Sequence, residues 1–201
     1  MQKLPTDPLR RRLAAAAVLT LVLSSVAEAH VGIGSTRGLA AGLQHPLGGI
    51  DHLCAMVAVG LWAGQRGGRS IWALPLAFIG VMTLGGMLGA AGLSLPFVER
   101  GILASLLVLG VLVAAAVRLP TLAGAFVVGV FALFHGHAHG TEMPHSADGL
   151  VYGAGFVIAT AALHALGVGM ALGLNRYTHA GLVRVAGAAV ALCGLALLLR
   201  S

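Results

Sequence analysis

The chain has 201 residues, of which 58% are hydrophobic and 9% charged, and its formal net charge is +6. A water-soluble domain carries about 25% charged residues, so this composition excludes a soluble globule and indicates a membrane protein. The positive charge does not indicate nucleic-acid binding. After the first dozen residues, the basic side chains stand singly or in pairs between apolar segments, as topology signals do.

The first thirty residues have the order of a secretory signal peptide. Lys3 and a run of three arginines precede the apolar stretch LAAAAVLTLVLSSV, and AEA at 27–29 supplies the small residues of a cleavage site. We predict cleavage after Ala29, which divides the chain into a signal peptide at 1–29 and a mature domain at 30–201. The alternative is an uncleaved first transmembrane helix. Cleavage makes His30 the new N-terminus, and its role is left open.

Six further apolar segments follow the leader, each close to the ~20 residues that a bilayer requires. Their apolar runs are continuous rather than alternating, which argues against a β-barrel. We therefore expect an all-α, polytopic membrane helix bundle with six transmembrane helices in a bacterial inner membrane. The arginines favour the inner loops, so the mature N-terminus is expected in the periplasm. The predicted spans lie near 38–65, 70–92, 97–117, 120–140, 149–174 and 180–199.

Glycines four residues apart predict that the helices of this bundle pack closely. Such pairs leave a flat patch where a second helix can approach. They occur at Gly38/Gly42, Gly60/Gly64, Gly85/Gly89, Gly136/Gly140, Gly149/Gly153 and Gly169/Gly173.

Polar residues interrupt the first mature span in the stretch QHPLGGIDHLCAM at 44–56. Asp51 lies near the middle of this span, where a carboxylate costs roughly 2.5–3.5 kcal/mol on insertion scales. In a straight helix His45 and His52 share a face but lie about 10 Å apart along the axis. Pro46 disfavours helix at His45, so we predict a helix broken at His45-Pro46. The break either brings both histidines to one ion or leaves them as successive stops along a path.

A second polar cluster, FHGHAHGTE, occupies 134–142. His135 and His139 are four residues apart on one helical face, a spacing that can chelate one ion, and Glu142 follows three residues later. His137 points elsewhere if the segment is helical. In a third segment, ATAALHALG, Thr160 precedes His164 by one turn and is expected to orient its ring.

We interpret seven of these side chains as candidate metal ligands or stations for a metal ion. Imidazole with some carboxylate suits nickel, cobalt, zinc, copper or iron(II) and suits magnesium or calcium poorly. The candidates are His45, Asp51, His52, His135, His139, Glu142 and His164.

Three blocks of the chain resemble the HupE/UreJ family of membrane proteins. They are HPLGGIDHLCAMVAVGLWA at 45–63, FALFHGHAHGTE at 131–142 and GFVIATAALHALG at 155–167, and the resemblance extends over essentially the whole chain. It implies a nickel, or in some members cobalt, permease that supplies hydrogenase or urease. It also implies a functional set in this chain: His45, Asp51, His52, His139 and Glu142, with His135 and His164 in the matching blocks.

We therefore expect a secondary permease that admits divalent nickel, or alternatively cobalt, from the periplasm and that is not an enzyme. No permanent cofactor is expected. The partners are the transported ion and the lipid bilayer, without nucleic acid, and a homo-oligomer is left open. One alternative is an intramembrane zinc-dependent hydrolase, in which histidines and an aspartate hold zinc and activate water. Another is a bis-histidine haem protein, which a spectrum without a Soret band would exclude.

Overall fold

The structure is a computed structural model that describes residues 35–143, 148–176 and 179–200, and side chains from 38 onward. These residues form seven α-helices and no strand, as the all-α prediction requires. The predicted signal peptide, its cleavage site, His30 and His145 lie outside the described residues. The helices are α1 (Ser35–Gly48), α2 (Ile50–Arg66), α3 (Ser70–Ala90), α4 (Val98–Ala114), α5 (Thr121–Thr141), α6 (Gly149–Arg176) and α7 (Ala180–Leu198).

The first predicted span is broken, but the break lies at Gly49 and not at His45-Pro46. Helix α1 continues through Pro46 to Gly48, and α2 leaves at an angle of 84°. Gly49 has an extended backbone (φ −104°, ψ 122°) and is the N-cap of α2. Proline removes one hydrogen bond but has a φ that a helix accepts, whereas two glycines in succession weaken a helix through their backbone entropy. The glycine pair therefore decides where the chain turns.

Four helices, α3, α5, α6 and α7, are long and apolar enough to cross a membrane, and the bent pair α1–α2 adds a fifth if it forms one span. Helix α4 has 17 residues and is therefore about 25 Å long. This is shorter than the ~30 Å hydrocarbon core of a bilayer. Large apolar side chains such as Trp72 and Phe126 lie exposed on the outer surface, as expected where lipid is the solvent. The chain is thus a multi-pass membrane protein, and the number of six spans stays a prediction.

Glycines set the closest helix contacts, as predicted for several of the pairs. A Cβ on Gly136 would lie 1.9 Å from the Met82 carbonyl oxygen, and one on Gly140 would lie 2.1 Å from that of Gly86. The second contact lies four residues after the first on both helices, so α3 and α5 run parallel. Two neighbouring parallel helices require α4 to return the chain along the bundle. The α3–α5 contact also fixes the rotation of α5, which carries three histidines.

Helix α6 packs against both halves of the bent pair. Gly42 of α1 meets the Tyr152 carbonyl oxygen, and Gly60 of α2 meets that of His164. On α6 itself the prediction was wrong in detail, because Gly153, Gly169 and Gly173 have no neighbour within 4 Å of a built Cβ. The close approaches there use Gly155 and Gly167 instead, since it is the facing helix, and not the spacing, that decides which glycine is crowded.

Candidate metal site

Two histidines from the C-terminal end of α5 form the centre of the site. Gly136 and Gly140 face α3, so His135 and His139, each one residue earlier, are turned about 100° away from that contact. Both imidazoles therefore point toward the bend between α1 and α2. His135 is fully buried and His139 is partly exposed, as expected for side chains at successive depths along one helix.

Three imidazole nitrogens converge on the inner side of this cluster, which we call the inner triad. His139 Nε2 lies 2.9 Å from His52 Nδ1, and His135 Nδ1 lies 3.3 Å from the same His52 nitrogen. All three ligand atoms lie within 4.8 Å of one another. Three imidazoles with room for a further ligand suit a first-row transition-metal ion.

A second group, the outer triad, uses the other nitrogen of the same histidine. His139 Nδ1 lies 2.7 Å from His45 Nε2 and 3.4 Å from Glu142 Oε2. His45 Nε2 is also 3.2 Å from that carboxylate oxygen. The Glu142 side chain is 59% exposed, so the outer triad is open to solvent while the inner triad is not.

The bend at Gly49 explains how His45 and His52 reach one imidazole. In a straight helix they would be separated by about 10 Å, but α1 and α2 diverge at the bend and place one histidine on each side of His139. Each belongs to a different triad. Neither group contains both histidines.

Asp51 belongs to neither triad, although it lines the same cavity. Its Oδ1 accepts a hydrogen bond of 2.7 Å from the His52 backbone N–H, at the first turn of α2. The cavity has a volume of about 510 Å³ and also contains His45, His52, His139 and Glu142. Two carboxylates and no lysine or arginine among its described lining residues make this cavity suited to a cation.

His164 lies apart from both triads. It is 1% exposed, and neither ring nitrogen has a hydrogen-bond partner among the described residues. Its ring meets Phe78 edge-on, with the centroids 5.2 Å apart. The expectation that Thr160 orients this ring was wrong, because the Thr160 hydroxyl points to Met82 Sδ at 3.8 Å instead.

His137 and His179 lie away from both triads. His137 donates from Nε2 to the Leu93 carbonyl oxygen at 2.6 Å, so it ties α5 to the loop before α4. His179 precedes α7 as its N-cap. His137, the middle histidine of the HGHAHG block, thus adds no ligand to either triad.

Ser105 is a contact of the site that the sequence reasoning missed. This buried residue of α4 lies with its Oγ 2.9 Å from His135 Nε2. The available signal was a single hydroxyl in the otherwise apolar run GILASLLVLG. Phe156 of α6 was missed as well, and its ring lies 4.8 Å from that of His139 between centroids.

Fold and site together define a polytopic helical membrane protein with a cavity lined by histidines and two carboxylates. The HupE / UreJ protein family matches residues 17–197. A curated relative, Protein HupE of Rhizobium leguminosarum bv. viciae, is 52% identical over 180 residues, which cover 89% of this chain and 93% of the relative. No solved structure matches the chain.

The chain therefore belongs to the HupE/UreJ family, as its three sequence blocks predicted. This is a family of transporters and not of enzymes, associated with nickel and cobalt uptake for hydrogenase or urease. The hydrolase alternative is accordingly wrong.

Proposed function

We propose that this protein is a secondary permease that admits divalent nickel, or alternatively cobalt, from the periplasm to the cytoplasm. The ion would enter at the outer triad, pass to the inner triad, and continue past His164. The observation that carries the proposal is the shared ligand His139, whose two ring nitrogens face the two triads. The imported metal would supply hydrogenase or urease maturation.

Because both triads use the imidazole of His139, only one triad can hold an ion at a time. A neutral imidazole has one unprotonated nitrogen at a time, so His139 can donate a lone pair to the outer or to the inner ion. Two ions held so close would also repel each other. One ion would therefore pass from the outer to the inner triad, and the His139 proton would move from Nε2 to Nδ1 by exchange with water as the ion changes sides. Conduction requires such binding, strong enough for entry and weak enough for exit.

The depth order of the groups supports the direction of this path. Glu142 is the most exposed ligand and would attract the hydrated cation, while His52 and His135 are buried and would replace its water. His164, buried without a hydrogen-bond partner among the described residues, would be a third station. A buried polar group without a partner costs free energy, which passage of an ion would relieve.

The membrane potential would drive entry. It supplies about 2.3 kcal/mol per elementary charge per 100 mV, which is about 4.6 kcal/mol for a divalent ion. The orientation that this requires places the mature N-terminus in the periplasm after removal of 1–29. Mass spectrometry of the purified chain tests the removal of 1–29, since the mature protein should begin at His30.

Uptake of radiolabelled nickel into cells tests the transport itself, with unlabelled cobalt and unlabelled nickel as competitors. We expect Asp51→Ala and His139→Ala, at membrane abundance equal to the wild type, to reduce uptake to the level of cells without the protein. His179→Ala is the matched control, since it removes a histidine outside the cluster. Normal uptake by the His139 variant would refute the mechanism, because this side chain belongs to both triads.

A further inference from the structure

The hydroxyl of Ser105 fixes which nitrogen of His135 carries the proton. Ser105 Oγ lies 2.6 Å from the Ile102 carbonyl oxygen, to which it donates. A hydroxyl has a single proton, so its contact of 2.9 Å with His135 Nε2 leaves Oγ as the acceptor. His135 must therefore donate from Nε2, and the ring is the Nε2–H tautomer.

The Nε2–H tautomer directs the lone pair of His135 into the inner triad. A neutral imidazole protonated on Nε2 has its lone pair on Nδ1, and His135 Nδ1 is the atom that faces His52 Nδ1 at 3.3 Å. Both Ser105 and His135 are 0% exposed, so bulk water does not compete for this hydrogen bond. His135 is thereby held with the metal-binding nitrogen already free of its proton.

We propose that Ser105 is a positioning residue that sets the tautomer and ring orientation of His135 for metal binding. Helix α4 supplies no ligand to either triad, and this hydroxyl is its contribution to the site. Partners of this kind, which hold the second nitrogen of a ligating histidine, typically change metal affinity 10–100-fold when removed. The metal-binding part of this proposal rests on the proposed function, whereas the tautomer does not.

The tautomer is measured by 15N NMR of histidine-labelled, full-length, metal-free protein in lipid nanodiscs, with His135→Gln used to assign the His135 signals. In the wild type we expect the protonated nitrogen to be Nε2. Ser105→Ala should remove that preference, and Ser105→Thr, which keeps the hydroxyl, should retain it. A wild-type His135 protonated on Nδ1 would overturn the proposal whatever the two Ser105 variants show.

Ser70→Ala is the matched control, because Ser70 is also a buried serine, but its Oγ contacts Arg66 Nε at 3.0 Å. We expect it to leave the His135 signals unchanged. In nickel titrations Ser105→Ala should raise Kd by about 10–100-fold, with Ser70→Ala within twofold of wild type. An unchanged Kd would refute the positioning role. An absence of nickel uptake by cells that contain the protein would refute the proposed function instead. The tautomer is measured on metal-free protein, so its test does not depend on transport.

Discussion

His45 and His52, seven residues apart and on opposite sides of an 84° bend, contact opposite nitrogens of one imidazole. His45 Nε2 lies 2.7 Å from His139 Nδ1, and His52 Nδ1 lies 2.9 Å from His139 Nε2. This relationship turns a set of scattered polar residues into an ordered pair of sites.

The sharing of His139 predicts a stoichiometry. Because its neutral ring offers one lone pair at a time, the wild-type protein should bind one nickel ion per chain at saturation, measured by equilibrium dialysis with metal analysis. His45→Ala should still bind one ion through the inner triad but take up nickel more slowly. Two ions per wild-type chain would contradict the alternation.

The bend predicts different effects for two adjacent glycines. A Cβ on Gly49 would lie 2.6 Å from Asp51 Oδ1, whereas one on Gly48 meets nothing within 4 Å. Gly49→Ala should therefore displace the carboxylate from the His52 N–H and lower nickel uptake severalfold, while Gly48→Ala leaves uptake near the wild-type rate. Equal uptake by the two variants would show that the position of the Asp51 carboxylate does not matter.

The α3–α5 contact predicts a loss of stability at Gly136. Gly136→Ala forces a Cβ against the Met82 carbonyl oxygen, 1.9 Å away, and overpacking of this kind costs about 1–3 kcal/mol. We expect a lower thermal midpoint in detergent together with reduced nickel binding, because His135 is adjacent. Gly129→Ala on the same helix meets only Val81 Cγ2, at 3.5 Å, and should preserve both. A midpoint for Gly136→Ala equal to that of the wild type would argue against the close contact.

The C-terminus of α4 predicts a stabilising substitution. Ala116 has φ +52°, and hydrogen bonds from Val117 N to Leu112 O and from Ala116 N to Val113 O close a Schellman motif. Helix α3 ends in a similar way with Gly92 at φ +73°. Ala116→Gly should raise the free energy of unfolding by up to about 1 kcal/mol, since an L-residue is strained there.

Ala115→Gly is the control for that prediction, because Ala115 has an ordinary helical backbone with φ −81°. It should lower the free energy of unfolding, since glycine loses more backbone entropy than alanine on folding. Urea unfolding in mixed micelles measures both variants. If the two glycines shift the midpoint in the same direction, the left-handed position is not the source of the effect.

Much of the fold could be predicted from the pattern of apolar residues. A continuous apolar run of about twenty residues has few alternatives to a helix in lipid, so five predicted spans closely match α3 to α7. The first break lies three residues beyond Pro46, because the Gly48-Gly49 pair and not the proline ends the helix. The helix that packs opposite each glycine could not be predicted, since spacing alone does not identify a partner.

Part of the candidate site could likewise be predicted from the sequence, and part could not. His135, His139 and Glu142 could be grouped from their spacing on one helix. His164 was grouped with them because of its residue type, yet Phe78 lies against its ring and it joins neither triad. Ser105 was missed because a single serine in an apolar helix does not reveal which ring it meets.

The sequence by itself determined the solvent, the helices and the chemical nature of the polar groups, because hydrophobic length and ligand type are local properties. Only the tertiary structure decided that the two ring nitrogens of His139 face two different triads and that Ser105 contacts His135. Those relations depend on the bend at Gly49 and on the rotation of α5 against α3, which arise from contacts between residues far apart in the chain.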